Sequence, residues 1–187
     1  MAHDPKEPTM KKAALTSAVL SCVLALATMH TASAANVTAQ AKLAPTKDSK
    51  VSGLVTFEQT ADGVHVKAKV EGLTPGAHGF HIHEKGDCSA PDGSSAGGHF
   101  NPTSAPHGDP AHAAKHSGDF GNITADAKGV ATLDVKVPLA QLTLTDGSPV
   151  NALNRGVIVH TAADDYKTQP TGNAGGRLAC GVITATK

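Results

Sequence analysis

Between residues 36 and 186 this 187-residue chain offers short β-rich segments closed by tight turns. It has no long run with a 3.6-residue apolar repeat, and that pattern restricts the fold to an all-β one. The clearest case is Gly63–Val70: Val64, Val66, Ala68 and Val70 fall on one face of an extended strand, and His65, Lys67 and Lys69 on the other. A second β-rich segment, Val51–Gln59, precedes it across Thr60-Ala61-Asp62-Gly63, a hairpin signal. Further strands are predicted at Asn36–Leu43, Ala77–Glu84, Gly118–Ala125, Val130–Val137, Gly156–Ala162 and Leu178–Thr186, with a tight turn at Asp126-Ala127-Lys128-Gly129. Eight strands of this length predict an antiparallel sandwich or barrel. Two stretches fit no strand: 85–115, crowded with Gly, Pro, Ser and His, and 138–155. A loop of about 30 residues in a compact domain marks either function or a wrong assignment, and the histidines favour function.

The first residues follow another logic. Lys11 and Lys12 lead an apolar run from Ala13 to about Ala27, and Ala32-Ser33-Ala34 closes the segment. This is the layout of a secretory signal, with cleavage predicted after Ala34. A membrane anchor needs about 20 apolar residues, whereas Thr28 and His30 interrupt this run. Cys22 faintly resembles a lipoprotein site, but cleavage there would leave Val23–Ala27 as an apolar tail. The chain is expected to divide into residues 1–34, an N-terminal extension and cleaved signal, and a single domain, 35–187, in the periplasm or secreted.

Removing residues 1–34 takes away three of 16 basic and two of 16 acidic side chains, and two of 11 histidines. The mature chain then has a formal charge of −1 and keeps nine histidines. Near-neutral charge and an aromatic content of 3% argue against nucleic acid as a partner, and no membrane contact is expected after cleavage. Two cysteines remain, Cys88 and Cys180, in a compartment that permits disulfides; they either pair or stay as thiols. Asn36-Val37-Thr38 and Asn122-Ile123-Thr124 fit the glycosylation pattern, which we read as coincidence beside a bacterial-type leader.

The histidines have metal-ligand spacing. In His81-Ile82-His83, on a predicted strand, the two imidazoles share one face while Phe80 and Ile82 take the other. Neutral imidazoles side by side suit a borderline-soft divalent metal such as copper or zinc. His99, His107, His112, His116 and Asp119 follow within 36 residues, and His160 ends a later apolar strand. Seven imidazoles and a carboxylate exceed the four ligands of a tetrahedral site, which leaves two adjacent sites, or one site with spare histidines.

Five separated motifs then resemble the copper,zinc superoxide dismutase family, in its order and spacing. They are Gly79-Phe80-His81-Ile82-His83-Glu84, Gly98-His99-Phe100-Asn101-Pro102, His107-Gly108-Asp109-Pro110, His116-Ser117-Gly118-Asp119 and Gly172-Asn173-Ala174-Gly175-Gly176-Arg177-Leu178-Ala179-Cys180-Gly181. The resemblance implies an eight-stranded antiparallel Greek-key barrel with long metal-binding and active-site loops. It also implies dismutation of superoxide to O2 and H2O2 by alternating reduction and oxidation of a copper, with one copper and one zinc per subunit. On this basis His81, His83, His99 and His160 are expected to bind copper. His99, His107, His116 and Asp119 are expected to bind zinc, with His99 bridging the two metals as an imidazolate and giving up a proton in turnover. Two flanking dications make that deprotonation physically reasonable.

The resemblance further assigns Asp164 as the carboxylate that accepts ring N–H bonds from His81 and His107, with the adjacent Asp165 as the alternative register. It makes Arg177 the holder of the superoxide anion, a role suited to a planar, permanently charged fork. It also pairs Cys88 with Cys180, tying the active-site wall to the scaffold. His65 and His78 are read as exposed and structural respectively, and His112 is left out of the zinc set by the resemblance alone. The Tyr166–Pro170 segment is short, so steering of superoxide is expected to rest on Arg177 and Lys167 as a local, salt-sensitive field. The subunit-contact region departs from the animal pattern, and the choice between monomer and homodimer is left open. A non-catalytic exported copper or zinc binder is the alternative reading; such a protein needs the ligands but has no use for Arg177.

Overall fold

The structure, a computed structural model, describes residue 1 and residues 36–186. The expected secretory leader, Cys22 included, lies outside the described residues apart from Met1. The strands are β1 (Val37–Pro45), β2 (Ser52–Thr60), β3 (Gly63–Glu71), β4 (Gly76–His83), β5 (Asp119–Ala125), β6 (Ala131–Val137), β7 (Gly156–His160), β8 (Arg177–Val182) and β9 (Thr184–Ala185), with one 3-10 turn at Ser94–Ala96. The strand order β2-β3-β6-β5-β4-β7-β8-β1 closes on itself because β1 also pairs with β2, giving an eight-stranded antiparallel barrel. β3 lies beside β6 and β4 beside β7, so two crossovers span the ends of the barrel as Greek keys. Closure removes the exposed edges that an open sheet of this size would present.

Side-chain alternation explains how the wall forms. Thr60 pairs with Gly63 across a two-residue turn, which sets the β2–β3 register. That register turns Val64, Val66, Ala68 and Val70 inward, where all four are buried. Phe80, Ile82, Val157 and Val159 enter the same core from β4 and β7, and Phe80 meets Phe120 edge to face with ring centroids 6.1 Å apart. Each such side chain contributes about 1.5–3 kcal/mol when fully buried. Residues 138–155 do not form a strand, as expected; Leu142, Leu144 and Ala152 from this segment join the barrel core.

β7, and β4 from His78 onward, are buried on both faces along their whole length. Their inward residues belong to the barrel. Ile158, facing outward, packs with Ala96, Cys180 and Cys88 in a second apolar cluster under the 84–98 loop. His81 and His83 also face outward, yet they are 0% and 1% exposed because the long loops fold back over them. The site therefore lies outside the barrel wall and beneath its loops.

Two strand boundaries depart from expectation. The stretch predicted as one strand, Leu178–Thr186, breaks at Ile183, whose backbone bonds Asn154 and Arg155 instead of a strand neighbour. The chain then pairs with β1 as β9. β7 ends at His160, not Ala162, because the amides of Thr161 and Ala162 donate to the carbonyls of Gly176 and Ala174.

Candidate metal centre

The elements bring seven side chains to one place. His81 and His83 share the outer face of β4, and His83 forms an isolated antiparallel bridge with His99 of the following loop. Asp119 opens β5 directly opposite His81 across a register shift, and His160 closes β7 opposite Arg177 of β8. Two buried donor sets result, His81, His83, His99 and His160, and His99, His107, His116 and Asp119; the ligand atoms of each set lie within 4.8 Å of one another. His99 belongs to both.

The second ring nitrogen of most of these histidines is already engaged. His81 Nε2 lies 2.8 Å from Asp164 Oδ2, and His107 Nε2 lies 2.9 Å from Asp164 Oδ1. His83 Nδ1 is 2.9 Å from the Gly97 carbonyl oxygen and His160 Nδ1 is 3.3 Å from that of Gly175. With those tautomers fixed, the opposite nitrogens face inward as lone pairs. His81 Nδ1 and His107 Nδ1 among them, together with His99 Nε2 and His116 Nδ1, are buried without a well-directed hydrogen bond, although Asp119 Oδ1 lies near the Nδ1 atoms of His107 and His116. Unsatisfied buried polar atoms each cost about 1–3 kcal/mol, and coordination to a divalent metal removes that cost. The residues present thus fit two metals sharing one imidazole.

Electrostatics point the same way. Burial pushes the His81 and His83 pKa values well below the ordinary imidazole value, and the neighbouring histidines add to the shift. Burial likewise takes His160 down to about 4 and lowers His116. These rings are neutral at pH 7, the form a metal requires. Burial alone would raise Asp119, but the hydrogen bond from His99 and the charges of His99, His107 and His116 outweigh it and hold the carboxyl at about 2. Asp119 Oδ1 lies 2.8, 3.1 and 3.2 Å from the Nδ1 atoms of His99, His107 and His116, while Oδ2 accepts the backbone N–H groups of Gly108 and His116.

Asp164 is buried and Asp165 is exposed, so it is Asp164 that faces the histidines. Gly172, at φ 67°, leaves room for this bridge; a Cβ there would collide with Asp164 Oδ1 and His107 Nε2. Two holding residues escape the sequence motifs. Asn122 donates to the Asp164 carbonyl and accepts from its N–H, and it also reaches Tyr166 Oη; Gln169 spans the N–H and carbonyl of His107. The Asn122 amide of the second glycosylation-like tripeptide is thus committed to the fold.

The remaining histidines separate cleanly. His112 is exposed and belongs to neither set, whereas His78 is buried between the carbonyls of His160 and Thr74. His65 is half-buried, not fully exposed, on the outer side of β3.

Arg177 is half-buried, and two of its nitrogens donate to the carbonyls of Gly93 and Gly97 at 2.6 and 2.7 Å. Both acceptors lie on the loop that Cys88 joins to β8 through the Cys88–Cys180 disulfide, with 5.8 Å between the Cα atoms. Burial lowers the guanidinium pKa below its ordinary value and nearby Asp92 opposes that shift; the group remains a cation. Lys167 is exposed on the short segment after Asp165.

A closed Greek-key barrel carrying two histidine-rich donor sets with a shared imidazole defines a two-metal protein of the copper–zinc class. Residues 51–183 match the family model for copper/zinc superoxide dismutase, and the chain belongs to that family. It is 45% identical over 139 residues to the Cu-Zn superoxide dismutase of Caulobacter vibrioides, covering 73% of this chain and 80% of the relative. It is also 45% identical over 145 residues to the extracellular Cu-Zn superoxide dismutase of Drosophila melanogaster, covering 73% and 77%. A crystal structure of the clock protein EA4 superposes with a TM-score of 0.71 at 40% identity, over 83% of this chain and 99% of that one. The cofactors of the family are copper and zinc, and its reaction is the dismutation of superoxide.

Proposed function

We propose that this chain is an exported superoxide dismutase in which His81, His83, His99 and His160 hold copper, and His99, His107, His116 and Asp119 hold zinc. The two donor sets support this division. Bound copper supplies the one-electron redox chemistry by which one superoxide is oxidised to O2 and a second is reduced to H2O2. The protein's residues do the rest. Asp164 fixes the tautomers of one histidine in each set, so both rings present Nδ1 inward. His99 takes up a proton at Nε2, the nitrogen facing the copper set, and passes it to the second superoxide, while its Nδ1 stays with the zinc set beside Asp119. Solvent provides the other proton.

Arg177 binds the superoxide anion. Its guanidinium is held by the Gly93 and Gly97 carbonyls beside the strand position of His160, and among the described residues its remaining N–H donors have no acceptor, which leaves them for a small oxyanion. That anchored cation next to the copper set is the observation that carries the catalytic reading, because a metal buffer needs no anion holder. Relatives in bacteria and in an extracellular animal setting support export, as does the lysine-led leader with its small-residue cleavage site after Ala34. Arg177→Ala is expected to keep both metals and to lose at least ten-fold in the rate of superoxide removal. A metal-replete variant with undiminished rate would remove Arg177 from the mechanism.

A further inference from the structure

β5 and β6 form the weakest seam of the barrel. They pair only at Ala125↔Ala131, and in the gap between their far ends lies a cavity of about 200 Å³. Its apolar wall comes from Phe120 on β5, Val135 and Val137 on β6, and Pro138 beyond it; its polar groups include Lys115 and Gln141. Lys115 is 8% exposed, and its Nζ makes one hydrogen bond, to the His116 carbonyl at 3.3 Å. Among the described residues no carboxylate lies within ion-pair distance of it, so two N–H donors of a buried ammonium have no protein acceptor. The Gln141 side-chain amide makes no hydrogen bond among the described residues either.

Two other charged residues line the cavity, and each is committed elsewhere. Asp119 directs Oδ1 to the histidines and Oδ2 to the N–H groups of Gly108 and His116, while Lys136 is paired with Asp62. What remains is a cation with no directly bonded carboxylate, opposed in its desolvation only by the more distant charge of Asp119, and one amide lining the same cavity. A buried cation with open N–H donors and no bonded counter-ion is costly, and an anionic ligand would both accept from those donors and balance the charge. The apolar wall favours a hydrocarbon body over a fully hydrated inorganic ion. A cavity of about 150 Å³ holds benzene, so this one has room for a benzoate-sized molecule.

We propose that the β5–β6 cavity binds a small apolar monocarboxylate, its carboxylate on Lys115 Nζ and the Gln141 amide and its hydrocarbon body against Phe120, Val135 and Val137. None of these residues belongs to the metal sets or to the Arg177 clamp, so this is a second anion site, distinct from that of superoxide.

Calorimetric titration of the metal-replete protein with benzoate tests it. One saturable site with Kd on the order of 1 mM or tighter is expected. Lys115→Met, which removes the charge at similar length, and Val135→Phe, which fills the slot and leaves Lys115 in place, should each weaken binding at least ten-fold. Arg177→Ala should leave it unchanged, and equimolar chloride or phosphate should not displace the ligand. Metal content is checked in each variant; if Lys115→Met fails to fold, Val135→Phe alone decides. Absence of saturable binding, full affinity in Val135→Phe, loss of binding in Arg177→Ala, or displacement by chloride or phosphate would each overturn the proposal.

Discussion

Asp164 shows how much a single side chain can fix. One carboxylate accepts a ring N–H from each donor set and the Tyr166 N–H besides, while Asn122 holds the Asp164 backbone through its N–H and carbonyl. Asp164→Asn keeps the shape but replaces one acceptor with a donor, which meets a ring N–H head on. Metal affinity is expected to fall about 10- to 100-fold, measured by competition with a chelator; unchanged affinity would contradict the bridging role. Protonation provides a second residue-scale prediction. His160 titrates at about 4 when folded, against about 6.5 in an unfolded chain, so between those values the unfolded state binds more protons. Stability of the metal-free protein should therefore be fully kept above pH 6.5 and lost as pH falls towards 4, by about 3 kcal/mol from this residue. His81 and His83 act in the same direction. Urea denaturation of the metal-free protein at pH 7 and pH 4.5 measures the difference, and equal stabilities would refute it. The histidines of the two donor sets were legible in the sequence because they sit in short motifs, three of them on strands β4 and β7. Asn122 and Gln169 were not, since their partners lie 42 and 62 positions away and only the fold brings them together. Likewise, spacing alone does not separate His112 from His116; burial does.

Among the elements, the 84–98 loop links scaffold to chemistry. It carries Cys88, the carbonyls that hold Arg177, and the Gly97 carbonyl that orients His83. A bridge spanning 92 positions stabilises the fold by about 2–5 kcal/mol, mainly by restricting the unfolded chain in the entropic account. Replacing both cysteines by serine is expected to lower stability by that amount. It should also reduce superoxide removal while the metals stay bound, because the Gly93 and Gly97 carbonyls lose their anchor. Denaturation, metal analysis and rate measured on the same sample check this; full activity would show that Arg177 holds its place without the bridge. Alternation made most strands readable, β3 above all. It did not reveal the break at Ile183, whose apolar neighbours continue the strand pattern while its backbone bonds go to Asn154 and Arg155. Nor did it reveal the open seam between β5 and β6, because strand separation leaves no mark in a period-two pattern.

At the scale of the molecule, the barrel provides rigidity and the loops provide chemistry. The core fills the inside of the wall, and both donor sets lie on its outer face, where β4 holds His81 and His83, β7 holds His160 and β5 opens on Asp119. Strands β4, β5 and β7 fix the backbone of four donor-set residues, and the fold gathers the donor atoms of each set within 4.8 Å of one another. With residues 1–34 removed the chain would carry a formal charge of −1 and exert no long-range attraction on an anion, so under the proposed function capture of superoxide falls to the local field around Arg177. The central claim, that these two sets with Arg177 form a working dismutase centre and not a metal store, is tested by loading residues 35–187 with copper and zinc and measuring metal content and superoxide disappearance on the same sample. One copper and one zinc per chain with rapid turnover is the predicted result; full occupancy of both metals without turnover would contradict it.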